Sequence, residues 1–267
     1  MKTKPLGGTG VQVPEIGLGV WQYRGGVEPL RHGIELGANL IDTAEMYRTE
    51  DVVGEAVQGM RERVFIASKV SGDHLGHDQV LRAADASLRR LGVDSIDLYQ
   101  VHWPSRSTPI EETMRAMATL VDTGRIRNIG VSNFSTEELV EAQAALSHHP
   151  IVSNQVLYNL RRREIERTLM PYCEREGVTI IAYTPLDSGR LAAGRGLFSS
   201  RGAKVLQEIA EENRKTAAQV ALNWCISHDG VIAIPKSDSV SRTAENCGAS
   251  DWRLSAEHMA RLDRAFA

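Results

Sequence analysis

Apolar residues along this chain recur in two alternating rhythms. Short runs that are apolar at nearly every position, or at every second one, predict β-strands at residues 15–19, 40–42, 64–69, 96–102, 126–132, 152–156, 179–183 and 231–234. Between them, apolar positions three and four apart predict amphipathic helices at 79–91, 111–122, 136–146, 164–176 and 217–226. Ser135 followed by Glu138 has the spacing of a reciprocal N-terminal cap, and Ser255 opens a last helix. A strand that returns parallel to its predecessor needs a connection of helix length, so the alternation predicts a parallel sheet. Eight strand–helix units in 267 residues fit a closed (β/α)8 TIM barrel, an α/β fold, better than two doubly wound domains. No linker or composition shift divides the chain, so residues 1–267 are read as a single domain. The glycines of Pro5-Leu6-Gly7-Gly8-Thr9-Gly10-Val11 suit a turn between two very short strands, a β-hairpin capping the barrel bottom. A stretch at 183–203 with Gly189, Gly194, Gly196 and Gly202 is too long for a simple connection and predicts a mobile loop over a site.

Composition narrows the class. Hydrophobic residues at 42% and charged residues at 24% are ordinary for a globular protein, and a net charge of −3 is small and of the wrong sign for a general nucleic-acid binder. Nothing approaches the roughly 18 apolar residues of a membrane span, and the N-terminus lacks a signal peptide's apolar core. The expectation is a soluble, cytoplasmic monomer with no membrane or nucleic-acid partner. Cys173, Cys225 and Cys247 are odd in number and widely spaced, which supports reduced thiols rather than a disulfide framework or a zinc ribbon. His148-His149 lacks metal spacing, so no metal site is expected, and Arg161-Arg162-Arg163 reads as a solvated approach to a helix.

Enzymes built on such barrels place their chemistry where strands end and loops begin. Asp42, Lys69 and His102 end the second, third and fourth strands, and Ser132-Asn133, Gln155, Tyr183 and Lys236 end or follow the fifth to eighth. Tyr47, five residues after Asp42, is able to return over the mouth towards Lys69 and His102. A free phenol has a pKa near ~10, and a neighbouring ammonium is expected to lower it. Asp42 would keep Lys69 charged and aimed, and His102 would hydrogen-bond a carbonyl oxygen on which charge develops. These roles describe carbonyl reduction: an electrophile oriented, a proton supplied, a hydride delivered by a cofactor.

The runs Ile41-Asp42-Thr43-Ala44-Glu45-Met46-Tyr47, Ser68-Lys69-Val70, His102-Trp103-Pro104, Gly130-Val131-Ser132-Asn133-Phe134, Asn154-Gln155-Val156, Ala182-Tyr183-Thr184-Pro185-Leu186 and Ile234-Pro235-Lys236-Ser237 carry a resemblance. In order and spacing they resemble the aldo-keto reductases over nearly the whole chain. Within that family they look like the prokaryotic branch with 2,5-diketogluconate and methylglyoxal reductases. The resemblance implies an NADPH-dependent oxidoreductase (NADPH/NADP+) with a catalytic tetrad of Asp42, Tyr47, Lys69 and His102, Tyr47 being the proton donor. It implies that Ser132, Asn133 and Gln155 hold the carboxamide, that Tyr183 stacks on the nicotinamide, and that Thr184 and Leu186 follow in the cofactor-binding loop. Lys236, Ser237 and Arg242 would grip the 2′-phosphate and ribose, with Glu245 and Asn246 at the adenine end. Barrel phosphate sites favour the loops after strands seven and eight, and two fixed cations suit a doubly charged group, which independently favours NADPH over NADH.

Thr49 stands where many relatives carry Asn, and Thr184 where Ser is usual. The helix opening at Ser255 runs to Ala267 without a long tail to close over the site, and the link at 104–110 is brief. An open pocket with Trp21 and Trp103 as apolar walls beside Tyr47 and His102 follows, with breadth towards small aldehydes, dicarbonyls (methylglyoxal-like) or keto-sugars. The competing reading is a non-catalytic nicotinamide-binding module of the same fold. It leaves the presence of all four tetrad residues unexplained.

Overall fold

The computed structural model describes residues 1–192 and 200–267, so Gly194 and Gly196 of the glycine-rich stretch lie outside the described residues. Strands β1 (Thr3–Pro5) and β2 (Gln12–Pro14) form an antiparallel hairpin, with Thr3 opposite Pro14 and Pro5 opposite Gln12. Strands β3 (Leu18–Gly19), β4 (Leu40–Asp42), β5 (Phe65–Val70), β6 (Ile96–Val101), β7 (Ile126–Ser132), β8 (Ile151–Leu157), β9 (Thr179–Tyr183) and β10 (Val231–Ala233) lie side by side in chain order. Every neighbouring pair among these is parallel. The sheet curls until its edges meet. Gly17 N–H donates to the Ala233 carbonyl at 2.8 Å, Ala233 N–H to Glu15 at 3.0 Å and Gly19 N–H to Pro235 at 3.2 Å.

The helices are α1 (Glu28–Glu35), α2 (Glu50–Val57), α3 (His77–Leu91), α4 (Ile110–Asp122), α5 (Thr136–Ala144), α6 (Leu169–Glu176), α7 (Arg201–Glu212), α8 (Ala217–Ile226), α9 (Val240–Cys247) and α10 (Ala256–Phe266). Both faces of the sheet are covered, so β4 and β6 are buried at every position, as a parallel sheet requires. Apolar side chains between sheet and helices form the larger core. A second cluster joins Leu40, Ala67, Leu98, Val152, Ile181 and Ile232, contributed by five strands and β10, to Leu6 and Val13 of the hairpin. Leu6 and Val13 are completely buried, each burial contributing about 1.5–3 kcal/mol. Lys4 adds a polar tie: its ammonium donates to the carbonyls of Ile226, His228 and Val231 at 2.6, 2.7 and 2.8 Å. Burial pulls its pKa down to about 8.

The predicted strands recur within a few residues of their expected limits, and both expected caps form. Ser135 accepts from the N–H of Glu138 while the Glu138 carboxylate accepts from Ser135, and Ser255 accepts from His258. The helix expected over 164–176 is instead a 3-10 turn (Glu164–Arg167) followed by α6. Pro171 is the reason, since it lacks the N–H that would bond Arg167 and its ring crowds that carbonyl, so it is accommodated only in a first turn. Gly202 belongs not to a loop but to α7, where the Phe266 ring lies 2.8 Å from the position a Cβ would take. Among the described residues no helix is long and apolar enough to cross a membrane, and Cys173, Cys225 and Cys247 are all buried free thiols.

Candidate active site

Side chains two apart on a strand share a face. Counting upward from the inner apolar cluster, Leu40 leads to Asp42, Ala67 to Lys69, Leu98 to Gln100 and His102, and Ile181 to Tyr183. An apolar floor is thus overlaid by polar groups at the C-terminal ends of the strands. Lys69 is completely buried, and its ammonium donates to Asp42 Oδ2 at 2.7 Å and to the Thr43 carbonyl at 2.8 Å. Asp42 Oδ1 accepts from Gln155 Nε2 at 2.7 Å and from Gln100 Nε2 at 3.4 Å. Every oxygen of the carboxylate is used, which offsets the cost of burying the pair.

Tyr47 reaches over this pair from the loop after β4. A 3-10 turn (Glu45–Tyr47) folds it back, and Arg48 at φ 56° redirects the chain into α2. The loop is pinned on both sides. Glu45 accepts from Ser71 N–H at 2.9 Å and meets His74 at 2.8 Å, while Glu50 accepts from Ser68 at 2.5 Å and from Arg90 at 2.7 Å. Thr49 meets the hydroxyl of Thr43 at 2.9 Å. The Tyr47 hydroxyl then lies 3.3 Å from His102 Nε2 and 3.4 Å from Lys69 Nζ. Trp21 packs on the Tyr47 ring with centroids 4.8 Å apart, and Trp103 stacks on His102 at 3.7 Å. These indoles are 48% and 41% exposed, so they flank the pair as an open apolar rim.

Burial raises the Tyr47 pKa well above that of a free phenol, reinforced by the negative charge of Asp42. The expectation that Lys69 lowers it is therefore corrected: with its charge engaged by Asp42, the ammonium does not outweigh desolvation. Burial also lowers the Lys69 pKa, opposed by Asp42. Burial, aided by the Lys69 charge, pushes His102 down to about 3, so its imidazole is neutral. Its Nδ1 is buried without a hydrogen-bond partner among the described residues.

The residues expected to hold the cofactor fall in two groups. Ser132 Oγ donates to the Gln155 carbonyl at 2.9 Å, and Asn133, at φ 63°, donates to the His102 carbonyl at 3.1 Å. Tyr183 OH donates to Asn133 Oδ1 at 2.9 Å, which ties its ring to the mouth. Burial raises the pKa of this second phenol as well. Thr184 also has positive φ, 51°, and its carbonyl accepts from Asn159 at 2.9 Å; Leu186 packs against the core. The second group lies across the closing edge, where Gly19 pairs with Lys236. Ser237, Asn246, Thr243, Leu18 and Leu30 line a small cavity there, and Glu245 precedes Asn246 on α9. Ser239 caps α9 by accepting from Arg242 N–H, and Lys236 pairs with Asp238. The Arg242 guanidinium has no ion-pair partner among the described residues.

Gln155 is drawn beneath the mouth onto Asp42 rather than standing free. Gln100 was missed, although its position two before His102 marks it as inward-facing. The three arginines are not merely solvated: Arg161 pairs with Asp187, Arg162 with Glu164, and Arg163 with Glu166 and Asp263. Among the described residues no three histidine, cysteine or acidic side chains gather as metal ligands.

A curled parallel sheet that buries an ammonium–carboxylate pair beneath a phenol and a neutral imidazole gathers proton-donating groups at one mouth. The chain belongs to the aldo/keto reductase family, whose profile matches residues 15–267. It is 42% identical over 267 residues to methylglyoxal reductase YeaE of Escherichia coli (strain K12), covering 96% of this chain and 92% of that one. It is 38% identical over 260 residues to glyoxal reductase of Bacillus subtilis (strain 168), covering 95% and 89%. The crystal structure of an aldo/keto reductase from Klebsiella pneumoniae in complex with NADP and acetate superposes with a TM-score of 0.88 at 41% identity, covering 100% of this chain and 96% of that one.

Proposed function

We propose that this enzyme reduces the carbonyl group of small aldehydes, dicarbonyls such as methylglyoxal, or keto-sugars, using NADPH and Tyr47 as the proton donor. The observation that carries the reading is the meeting of the Tyr47 hydroxyl with both His102 Nε2, at 3.3 Å, and Lys69 Nζ, at 3.4 Å. In this reading the curled sheet is a (β/α)8 barrel of one domain, its hairpin closing the bottom.

The residues present suit the cofactor. Asn133 offers its amide at the mouth, backed by the buried Ser132 and Gln155, Tyr183 offers a ring tethered by its hydroxyl, and Thr184 and Leu186 continue that loop. Lys236, Ser237 and Arg242, which is unpaired among the described residues, stand at the start of α9, where helix N–H groups and cations suit a phosphate. Asn246 and Glu245 extend the site towards the adenine. When bound there, the nicotinamide supplies hydride to the carbonyl carbon.

The remaining work belongs to the chain. A neutral His102 donates from Nε2 to the carbonyl oxygen, orienting it and stabilising the charge that develops. Tyr47, kept protonated by burial, passes its proton to the same oxygen. The phenolate left behind lies beside Lys69, and Asp42, held by Gln155, keeps that ammonium charged and aimed. Trp21 and Trp103 form an open rim that contacts apolar parts of the substrate and discriminates weakly by size.

Tyr47→Phe tests the assignment. NADPH consumption with methylglyoxal or an aromatic aldehyde should fall by about 10²–10⁴ in kcat, with the NADPH Kd measured by fluorescence changed by less than about twofold. Turnover equal to wild type eliminates Tyr47 as the donor.

A further inference from the structure

Lys236 does not stand alone at the start of α9. Its ammonium is paired with Asp238, two residues on, and Asp238 Oδ1 also accepts from the backbone N–H of Arg24 at 2.9 Å. The carboxylate is therefore held from two sides, by the connection between β10 and α9 and by the loop after β3. Ser237 turns its hydroxyl away to the Ser239 carbonyl at 3.0 Å, and the Arg242 guanidinium has no ion-pair partner among the described residues, while the Arg24 charge acts on Asp238. Although partial burial pushes the Asp238 carboxyl up, the hydrogen bonds from Lys236 and Arg24 hold it below the usual carboxylate range.

The two nicotinamide cofactors differ at one substituent. The 2′-phosphate carries between one and two negative charges and only acceptors, whereas an unphosphorylated ribose presents a hydroxyl donor. Cations serve the first, and an acidic side chain that accepts from the 2′-hydroxyl serves the second. Here both kinds of group are present in contact. A phosphate must draw Lys236 away from Asp238 and then lie near a carboxylate that keeps the Arg24 N–H as its donor and the Arg24 charge as its remaining counterweight. A ribose hydroxyl requires neither.

We propose that Asp238 is a specificity-determining residue that narrows the preference for the 2′-phosphorylated cofactor, by holding the Lys236 ammonium and by offering an acceptor to the unphosphorylated ribose. The proposal rests on the reading that Lys236 meets the 2′-phosphate. Both side chains are partly exposed, 35% for Lys236 and 42% for Asp238, so water and salt hold the effect to a modest size.

The test is direct binding, read by quenching of tryptophan fluorescence, with 2′,5′-ADP and 5′-AMP as probes of the adenine end and NADPH and NADH as whole ligands. In Asp238→Asn and Asp238→Ser, the affinity ratio of the phosphorylated to the unphosphorylated ligand should rise roughly fivefold, through tighter NADPH and weaker NADH. A ratio unchanged in both variants, while Lys236→Met lowers it, overturns the role of Asp238 and leaves the phosphate site standing. A ratio that Lys236→Met fails to move removes the phosphate reading itself, and the proposal with it.

Discussion

Asp42→Asn keeps the shape of the side chain and removes its charge, leaving the Lys69 ammonium stranded in a place with no exposure to solvent. At the observed 2.7 Å, an effective dielectric near 20 gives an attraction of about 6 kcal/mol, part of which the asparagine oxygen retains. The loss has a ceiling, because a stranded ammonium escapes by giving up its proton. From the ordinary amine value of 10.5, neutralising it at pH 7 costs about 5 kcal/mol. A destabilisation of about 3–5 kcal/mol at pH 7 follows. Its pH dependence has a definite sign: the folded variant carries a neutral lysine while the unfolded chain binds the proton. The deficit therefore shrinks by about 1.4 kcal/mol per unit as pH rises from 7 to 9. Urea melts followed by circular dichroism, with the slope m unchanged, read this directly. A deficit below about 1 kcal/mol, or one flat between pH 7 and 9, refutes the picture of a dry, mutually dependent pair.

Two further outcomes are expected. With its pKa pushed down to about 3, the His102 imidazole should show no titration by NMR above pH about 5. Because the unfolded imidazole takes up a proton near 6.5 and the folded one resists, His102 subtracts stability as pH falls from 6.5 towards 3, by up to about 5 kcal/mol. A chemical-shift midpoint near 6.5 contradicts both. Gly54→Ala should destabilise by about 1–3 kcal/mol, opposite in sign to the roughly 1 kcal/mol gain such a change gives on an exposed helix. A Cβ there would sit 2.6 Å from the Leu91 carbonyl oxygen, on rigid backbone at the end of α3. A raised Tm in the variant removes this explanation.

Much of the site was legible because period-two alternation carries it. Once Leu40, Ala67 and Leu98 are inward, Asp42, Lys69 and His102 must be inward too, each two or four residues further along its own strand. Gln100 was within reach of the same arithmetic and passed over as a strand interior. What was not legible depends on loops. Arg48 turns the chain through a conformation that L side chains rarely adopt, and nothing in its type announces it. The pairing of Arg161 with Asp187 and of Arg24 with Asp238 joins segments whose approach only the closed sheet determines. The break before α6 was readable from Pro171, but apolar spacing on both sides outweighed it.

The raised pKa of Tyr47 bears on how its proton is held and delivered. An ammonium beside a phenol was expected to prepare it by lowering its resting pKa, but Lys69 is already committed to Asp42 and Thr43, and burial dominates. In the proposed reaction this is an advantage. A phenol that never ionises at rest is always loaded with its proton, and the charge of Lys69 takes effect only as phenolate forms, 3.4 Å away. An interaction that strengthens with the charge of the transition state lowers the barrier, whereas one that equally favours the resting ion would not. The same logic assigns the neutral His102 its usefulness: an imidazolium beside Lys69 would oppose the ammonium, while a neutral ring still donates one hydrogen bond. Asp42 thus acts on the chemistry at one remove, by fixing where the ammonium beside the phenol stands.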